Sequence, residues 1–300
     1  MVWDIDREIV GFGVFALRWY SLLFALGIVL SYFVMKRMFA AEGKRLELLD
    51  SLLFHCVIGT VVGARLGHCL LYEPAEYLAD PLRILKIWEG GLASHGGYLG
   101  VMIALILFVR RYRDMSWFWV ADRMTVNGMI TGGLIRIGNF FNSEIIGHPT
   151  DMPWAVTFKK EDMIPRHPAQ LYEAAGYLTI GAIEYAIYRG AGRKPRDGRM
   201  FGLVLWLGYG FRLCVEFFKE DQVDFEKGMA LNMGQILSIP FILIGFFFFF
   251  GLHLKIPFFR PALTSTADAY AAGAPASAVP GDAAQGRKGH LRKQKKKAKK

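Results

Sequence analysis

Long apolar runs recur along most of this sequence, and they limit its fold more than any other feature. A helix needs about 20 predominantly apolar residues to cross a hydrocarbon core of about 30 Å. Seven segments approach that length, at 17–35, 52–72, 92–109, 116–141, 171–188, 201–218 and 234–254. Within such a core the backbone must satisfy its own polar groups, and helices do so inside a single segment. The expected fold class is an all-α integral membrane protein with seven transmembrane helices. Its composition agrees, with 53% hydrophobic residues, 24 Phe and a mean hydropathy of +0.28.

The loops alternate in charge. Lys36, Arg37, Lys44 and Arg45 follow the first run, Arg110, Arg111 and Arg113 the third, and Arg189, Arg193, Lys194, Arg196 and Arg199 the fifth. The intervening loops carry Glu73, Glu76 and Asp80, or Glu220, Asp221, Asp224 and Glu226. Because basic loops stay on the cytoplasmic side, the N-terminus is expected outside and the C-terminus inside. The first twelve residues hold Asp4, Asp6 and Glu8, unlike a cleavable leader.

Residues 1–260 are expected to form one seven-helix membrane domain, and 261–300 a disordered tail. The stretch 261–286 is rich in Ala, Pro, Gly and Ser and cannot bury enough apolar surface to order itself. Residues 287–300 hold nine Lys or Arg and no acid, out of a chain net charge of +10. The body is therefore nearly neutral and lacks the basic face that nucleic acid requires. No nucleic-acid partner is expected, and the tail suits the anionic lipid of the inner leaflet. Cys56, Cys69 and Cys214 lie in apolar runs with neither paired nor metal-type spacing.

Polar side chains interrupt the apolar runs at particular depths. Residues 132–147 read Gly-Gly-Leu-Ile-Arg-Ile-Gly-Asn-Phe-Phe-Asn-Ser-Glu-Ile-Ile-Gly, placing Arg136, Asn139, Asn142 and Glu144 at the end of the fourth run. A charge at such a depth costs a few kcal/mol unless it faces a partner, a cavity or a ligand. On the expected orientation Tyr20, Arg65, His95, Arg136, Arg212 and Glu216 all fall in the outer half of the membrane. Arginines gathered there suit a lipid phosphate, which guanidinium grips with two parallel hydrogen bonds. Plainer readings stand beside this one. Arg212 and Glu216 are four apart and could neutralise each other, and Arg65 could snorkel or bond backbone carbonyls. His95 could move a proton near neutral pH or serve as an interfacial hydrogen-bonder. Glu144, His148 and His167 lack the local spacing of a zinc site, so no metal is expected.

These residues fall into blocks that resemble the prolipoprotein diacylglyceryl transferases, bacterial membrane enzymes that begin lipoprotein maturation. Arg136, Gly138, Asn139, Phe140, Asn142, Glu144 and Gly147 occupy the positions of that family's signature, with Ile135 where a glycine is usual. Arg18-Trp19-Tyr20, residues 63–67, Ser94-His95-Gly96-Gly97, residues 166–173 and the stretch from Phe211-Arg212 to Glu216-Phe217-Phe218 match further blocks in order. Lys219 stands where an arginine is common, and the tail lies outside the resemblance.

The resemblance implies transfer of diacylglyceryl from phosphatidylglycerol to the lipobox cysteine thiol of a preprolipoprotein, forming a thioether and releasing glycerol 1-phosphate. It implies a location in the bacterial cytoplasmic (inner) membrane, with the site toward the outer leaflet. Catalytic roles would fall to His95, Arg136, Arg212 and Tyr20. Phosphatidylglycerol would meet Arg136, Asn139, Asn142, Glu144, Gly147, Arg212, Glu216 and Arg65. No cofactor is implied. A lipid transporter would instead show internal repeats or paired broken helices, and a scaffold would leave the intramembrane arginines unexplained.

Overall fold

A computed structural model of the full chain describes residues 1–12, 15–113, 115–220 and 231–252. The expected tail at 261–300 and the acidic Asp221, Asp224 and Glu226 lie outside the described residues. The chain is mostly helical, and each of the seven apolar segments falls on helix. The long helices are α1 (Trp19–Ala41), α2 (Glu47–Leu71), α4 (Ser94–Arg111), α5 (Trp117–Asn142) and α6 (Ala169–Gly190). The short α3 (Pro74–Ala79) follows α2. Beyond α6, the chain runs through α7 (Arg199–Leu203), a π-helical turn at Val204–Gly208 and α8 (Tyr209–Val215), closing in a 3-10 turn at Glu216–Phe218. The last helix is α9 (Met233–Phe249). Among the described residues, three helical stretches are long and apolar enough to cross a membrane: Trp19–Ala41, Glu47–Leu71 and Arg199–Phe218.

The all-helical expectation needs one correction. The N-terminal residues and the 143–168 connection form short strands. β1 (Val2–Trp3) pairs in parallel with β4 (Val156–Phe158), which pairs antiparallel with β5 (Pro165–Arg166), while β2 (Glu8–Phe12) and β3 (Phe15–Arg18) form a hairpin. Trp3, Phe140, Val156 and Phe158 make a small core beneath the three-stranded sheet. That core fixes the connection against the end of α5.

Helix packing relies on small residues, as expected where lipid supplies no hydrophobic drive between helices. α2 lies against α4, α1 against α5, and α5 against α6. Between α2 and α4 the approach is so close that a Cβ at Gly59 would sit 2.6 Å from the Gly100 carbonyl. Large apolar side chains face outward along the same helices, among them Leu22, Leu26, Val29 and Phe33 on α1 and Phe54, Ile58 and Val62 on α2.

One end of α5 is held by buried charge. Arg123 donates to both carboxylate oxygens of Glu42, at 3.0 and 2.8 Å, and Trp119 Nε1 adds a third bond at 2.7 Å. Asp122 accepts from the backbone of Gly198 and Phe201 at 2.9 and 2.8 Å, which ties α5 to the start of α7. Arg136 and Asn139 sit near the opposite end, so this clamp anchors the helix that carries them.

Candidate active site

α5 ends where Ser143 enters the left-handed region at φ 57°, and Ile145 follows at φ 56°. The backbone N–H groups of Ser143 and Glu144 bond the carbonyls of Phe140 (3.1 Å) and Asn139 (2.9 Å), closing the helix end. This reversal folds Glu144 back over the last turn. Its carboxylate accepts from Asn139 Nδ2 at 2.9 Å and Asn142 Nδ2 at 3.1 Å. Asn139 Oδ1 in turn accepts from Arg136 Nη1 at 3.3 Å. Arg136, Asn139, Asn142 and Glu144 thus form one network, as their spacing predicts.

The first turns of α6 support this network from behind. Gln170 Nε2 donates to the Glu144 backbone carbonyl at 2.6 Å. Glu173, fully buried, brings Oε2 to 3.1 Å from Arg136 Nε. Tyr177, one turn on, donates to Glu173 Oε1 at 3.3 Å and contacts the Arg136 guanidinium. Gln170 and Glu173 lie in the 166–173 block read from sequence, without a role given to either, and Tyr177 was not singled out; the four-residue step from Glu173 to Tyr177 was the available signal.

The strand-like segment 146–148 is held on both sides. Gly147 N–H donates to His167 O at 3.0 Å, His148 N–H to Phe218 O at 2.9 Å, and Glu220 N–H to Ile146 O at 3.2 Å. A Cβ on Gly147 would lie 2.6 Å from His167 Cβ, His167 O and Phe218 O, so the side-chain position is closed by two neighbouring segments. Arg166 bonds Gly147 O at 3.2 Å while pairing with Asp162 at 2.6 Å and Glu220 at 3.1 Å. Outside the helices, the hydrogen bond from Arg166 holds the Asp162 carboxyl below the usual carboxylate range.

Arg212 on α8 reaches the same region. It acts electrostatically on Tyr177 and Tyr209, and no ion pair ties it to a carboxylate among the described residues. Its possible partner Glu216 is instead held by Lys219 Nζ at 2.9 and 3.1 Å. Lys219 also stands 3.8 Å from Glu173. The i, i+4 neutralisation of Arg212 by Glu216 is therefore not realised. The chain turns 3-10 at Glu216–Phe218, where residues three apart eclipse, and that places Lys219 over Glu216.

Tyr20, half-buried in the first turn of α1, packs against Gly138 and interacts electrostatically with Glu144 and Arg136. His95 is exposed in the first turn of α4, and no hydrogen bond links it to the Arg136 network among the described residues. Tyr98, one turn further along, does interact with Tyr20, Arg136 and Tyr209. Arg65 meets backbone carbonyls, one of the plainer readings left open by the sequence. All its N–H groups face backbone carbonyls, those of Ile84, Gly90, Gly91, Arg83 and Lys86, at 2.5–3.3 Å, and Tyr77 lies 5.0 Å beneath the guanidinium. Its charge organises the 83–91 connection leading to His95. Among the described residues no three His, Cys, Asp or Glu side chains are arranged to hold a metal.

Arg136, ion-paired to Glu173, thus lies beside an amide and carboxylate cluster while Arg212 acts electrostatically on the neighbouring Tyr177, an arrangement chemically suited to a phosphodiester carrying a polyol. A family model described as Prolipoprotein diacylglyceryl transferase matches residues 7–251. The chain belongs to the prolipoprotein diacylglyceryl transferase family. A relative from Tolumonas auensis named phosphatidylglycerol–prolipoprotein diacylglyceryl transferase is 48% identical over 245 residues, 82% of this chain and 95% of its own length. Relatives of the same name from Chloroherpeton thalassium and Bacteroides fragilis are each 43% identical, covering 81% and 83% of this chain and 91% and 94% of their own. This prolipoprotein diacylglyceryl transferase family member is accordingly an enzyme, a transferase, and the Arg136 network lies inside the matched region.

Proposed function

We propose that the chain transfers the diacylglyceryl group from phosphatidylglycerol to the thiol of the lipobox cysteine of a preprolipoprotein. The observation that carries this reading is the network in which Glu173 and Asn139 hold Arg136 and Asn139 joins it to Glu144, with Arg212 acting electrostatically on the adjacent Tyr177. Arg136 and Arg212 grip the phosphate and stabilise the charge that grows on it as it leaves. Asn139, Asn142 and Glu144 orient the glycerol hydroxyls of the head group, the backbone at Gly147 closes that side, and Tyr20 packs over the cluster. Glu216 acts through Lys219, and Arg65 through the connection it holds.

The bond changes follow from the substrates. The cysteine sulfur, as thiolate, attacks the diacylglycerol carbon that bears the phosphate. A C–S bond forms, the C–O bond breaks with its electron pair on oxygen, and glycerol 1-phosphate departs. A free thiol has a pKa of about 8.5, so a proton acceptor speeds attack at neutral pH. His95 is assigned that role, at the mouth of α4 beside Tyr98. The residues present supply this chemistry without a cofactor.

On this reading the seven apolar segments cross the bacterial cytoplasmic membrane with the N-terminus outside and the basic loops inside, and the site faces the outer leaflet. The charge alternation of the loops supports that orientation. Phosphatidylglycerol then arrives laterally from the leaflet in which the lipobox peptide also presents its cysteine.

The test is transfer of labelled diacylglyceryl from phosphatidylglycerol to a lipobox peptide by the purified chain, beside Arg136→Ala. Thioether product from the wild type and none from the variant is the expected result. Absence of product from folded, lipid-binding wild type would overturn the assignment.

A further inference from the structure

Glu173 belongs neither to the signature loop nor to the groups assigned above to substrate, yet the network is built around it. Its side chain is fully buried. Oε2 faces Arg136 Nε at 3.1 Å and accepts no aligned hydrogen bond from a described residue, while Oε1 accepts from Tyr177 and stands 3.8 Å from Lys219. A buried carboxylate between two cations is held by charge on both sides. Its neighbours on α6 point the same way, because Gln170 pins the backbone of Glu144 from the preceding turn.

The Arg136 guanidinium is therefore fixed on one edge. Nε faces Glu173, and one Nη1 N–H is taken by Asn139. Tyr177 also meets the guanidinium, and the orientation of the N–H groups that remain for a phosphate follows the Glu173 carboxylate. The same carboxylate reaches, through Lys219, the turn that closes the helix carrying Arg212.

We propose that Glu173 is a positioning residue that sets the guanidinium plane of Arg136 and, through Lys219, ties it to the helix of Arg212. It does not touch substrate. This rests on the transferase reading given above. A guanidinium displaced by about 1 Å costs on the order of 10²-fold in rate. A purely structural carboxylate would lower the amount of folded protein and leave the affinity of each folded molecule for lipid untouched.

The experiment measures initial rates of diacylglyceryl transfer in mixed micelles, with the mole fraction of phosphatidylglycerol varied at saturating lipobox peptide, and the reverse. Full-length wild type, Glu173→Gln, Glu173→Asp and Tyr177→Phe are compared. KM does not depend on how much protein is folded, so it separates the two roles. Glu173→Gln is expected to lower kcat/KM for phosphatidylglycerol on the order of 10²-fold, raising KM for the lipid and leaving KM for the peptide unchanged. Glu173→Asp recovers part of the loss because it keeps the charge. Tyr177→Phe shows a smaller rise in the same KM and decides the matter if Glu173→Gln does not fold. Wild-type turnover with KM for the lipid unmoved in the folded variants would overturn the positioning role alone. No transfer by the wild type would overturn the transferase reading and this inference with it.

Discussion

Gly147 is the position where the structure leaves least room, which makes Gly147→Ala a sharp perturbation of the site. Ordinary contact for a Cβ begins at 3.4 Å, whereas three atoms would stand at 2.6 Å, a deficit of about 0.8 Å. Two are backbone carbonyl oxygens, from His167 and Phe218, and the third is His167 Cβ. They belong to different segments, so Gly147 cannot retreat from one by simply leaning on the other. Its own N–H and C=O are bonded to His167 and Arg166, which resists rotation of the strand. Overpacking of this kind costs about 1–3 kcal/mol. The displacement is passed to Glu144 three residues away, and a shift approaching 1 Å costs on the order of 10²-fold in rate.

The assay is the initial rate of diacylglyceryl transfer at saturating substrates, run beside thermal unfolding in the same detergent. Gly128→Ala is the control, since a Cβ there meets nothing within 4 Å. It should match the wild type in rate and gain slightly in helix stability, by up to about 1 kcal/mol. A Gly147→Ala protein with wild-type rate and wild-type unfolding would refute the close-packing argument. Wild-type rate with lowered stability would separate the 146–148 segment from catalysis.

Two further outcomes follow from charges away from the site. Glu42→Ala strands the Arg123 guanidinium, whose side chain is 2% exposed, and should cost about 3–5 kcal/mol. Because Arg123 lies thirteen residues, about 20 Å along α5, from Arg136, the rate per folded molecule should hold; a loss under about 1 kcal/mol in a chemical unfolding titration would contradict the pair's buried role. Asp162 is held below its ordinary range by Arg166, so its contribution is present above the unfolded carboxyl pKa of about 3.9 and disappears as pH falls through the folded value. Melting temperatures of wild type and Asp162→Asn should therefore separate above about pH 4 and converge in strong acid; a constant gap throughout would show that the Arg166 bond is not the cause.

What sequence could disclose depended on whether a residue's partner lies nearby along the chain. Arg136, Asn139, Asn142 and Glu144 were legible because polar groups at the end of an apolar run must face something, and helical spacing puts them together. For Arg65 the sequence left lipid contact and backbone carbonyls both open, because the carbonyls it meets lie 18 to 26 residues away and leave no mark in side-chain identity. The plainer reading, in which Glu216 neutralises Arg212, presumed a continuous α-helix, and the 3-10 turn gives Glu216 to Lys219 instead. β1, β4 and β5 hold two or three residues each, too few for an alternating pattern to register. The long helices were legible as apolar runs, since an apolar segment of that length must close its own hydrogen bonds, whereas α3, the π-helical turn and the extension of α1 to Ala41 were not.

Asn139 shows why the signature needs an amide and not merely a polar side chain. Its Oδ1 accepts from Arg136 while its Nδ2 donates to Glu144. A carboxylate at that position could receive the guanidinium but would face Glu144 with like charge, and an aliphatic side chain would leave both neighbours without the bond that orients them. Only a group that accepts on one edge and donates on the other can join a cation to an anion without neutralising either. Glutamine offers the same edges on a longer stem, and in the 5% exposed space Asn139 occupies the added methylene has nowhere to go. The amide thus links Arg136 to Glu144 across the end of α5. On the reading proposed above, that single amide sets the group that meets phosphate beside the group that meets the glycerol hydroxyls.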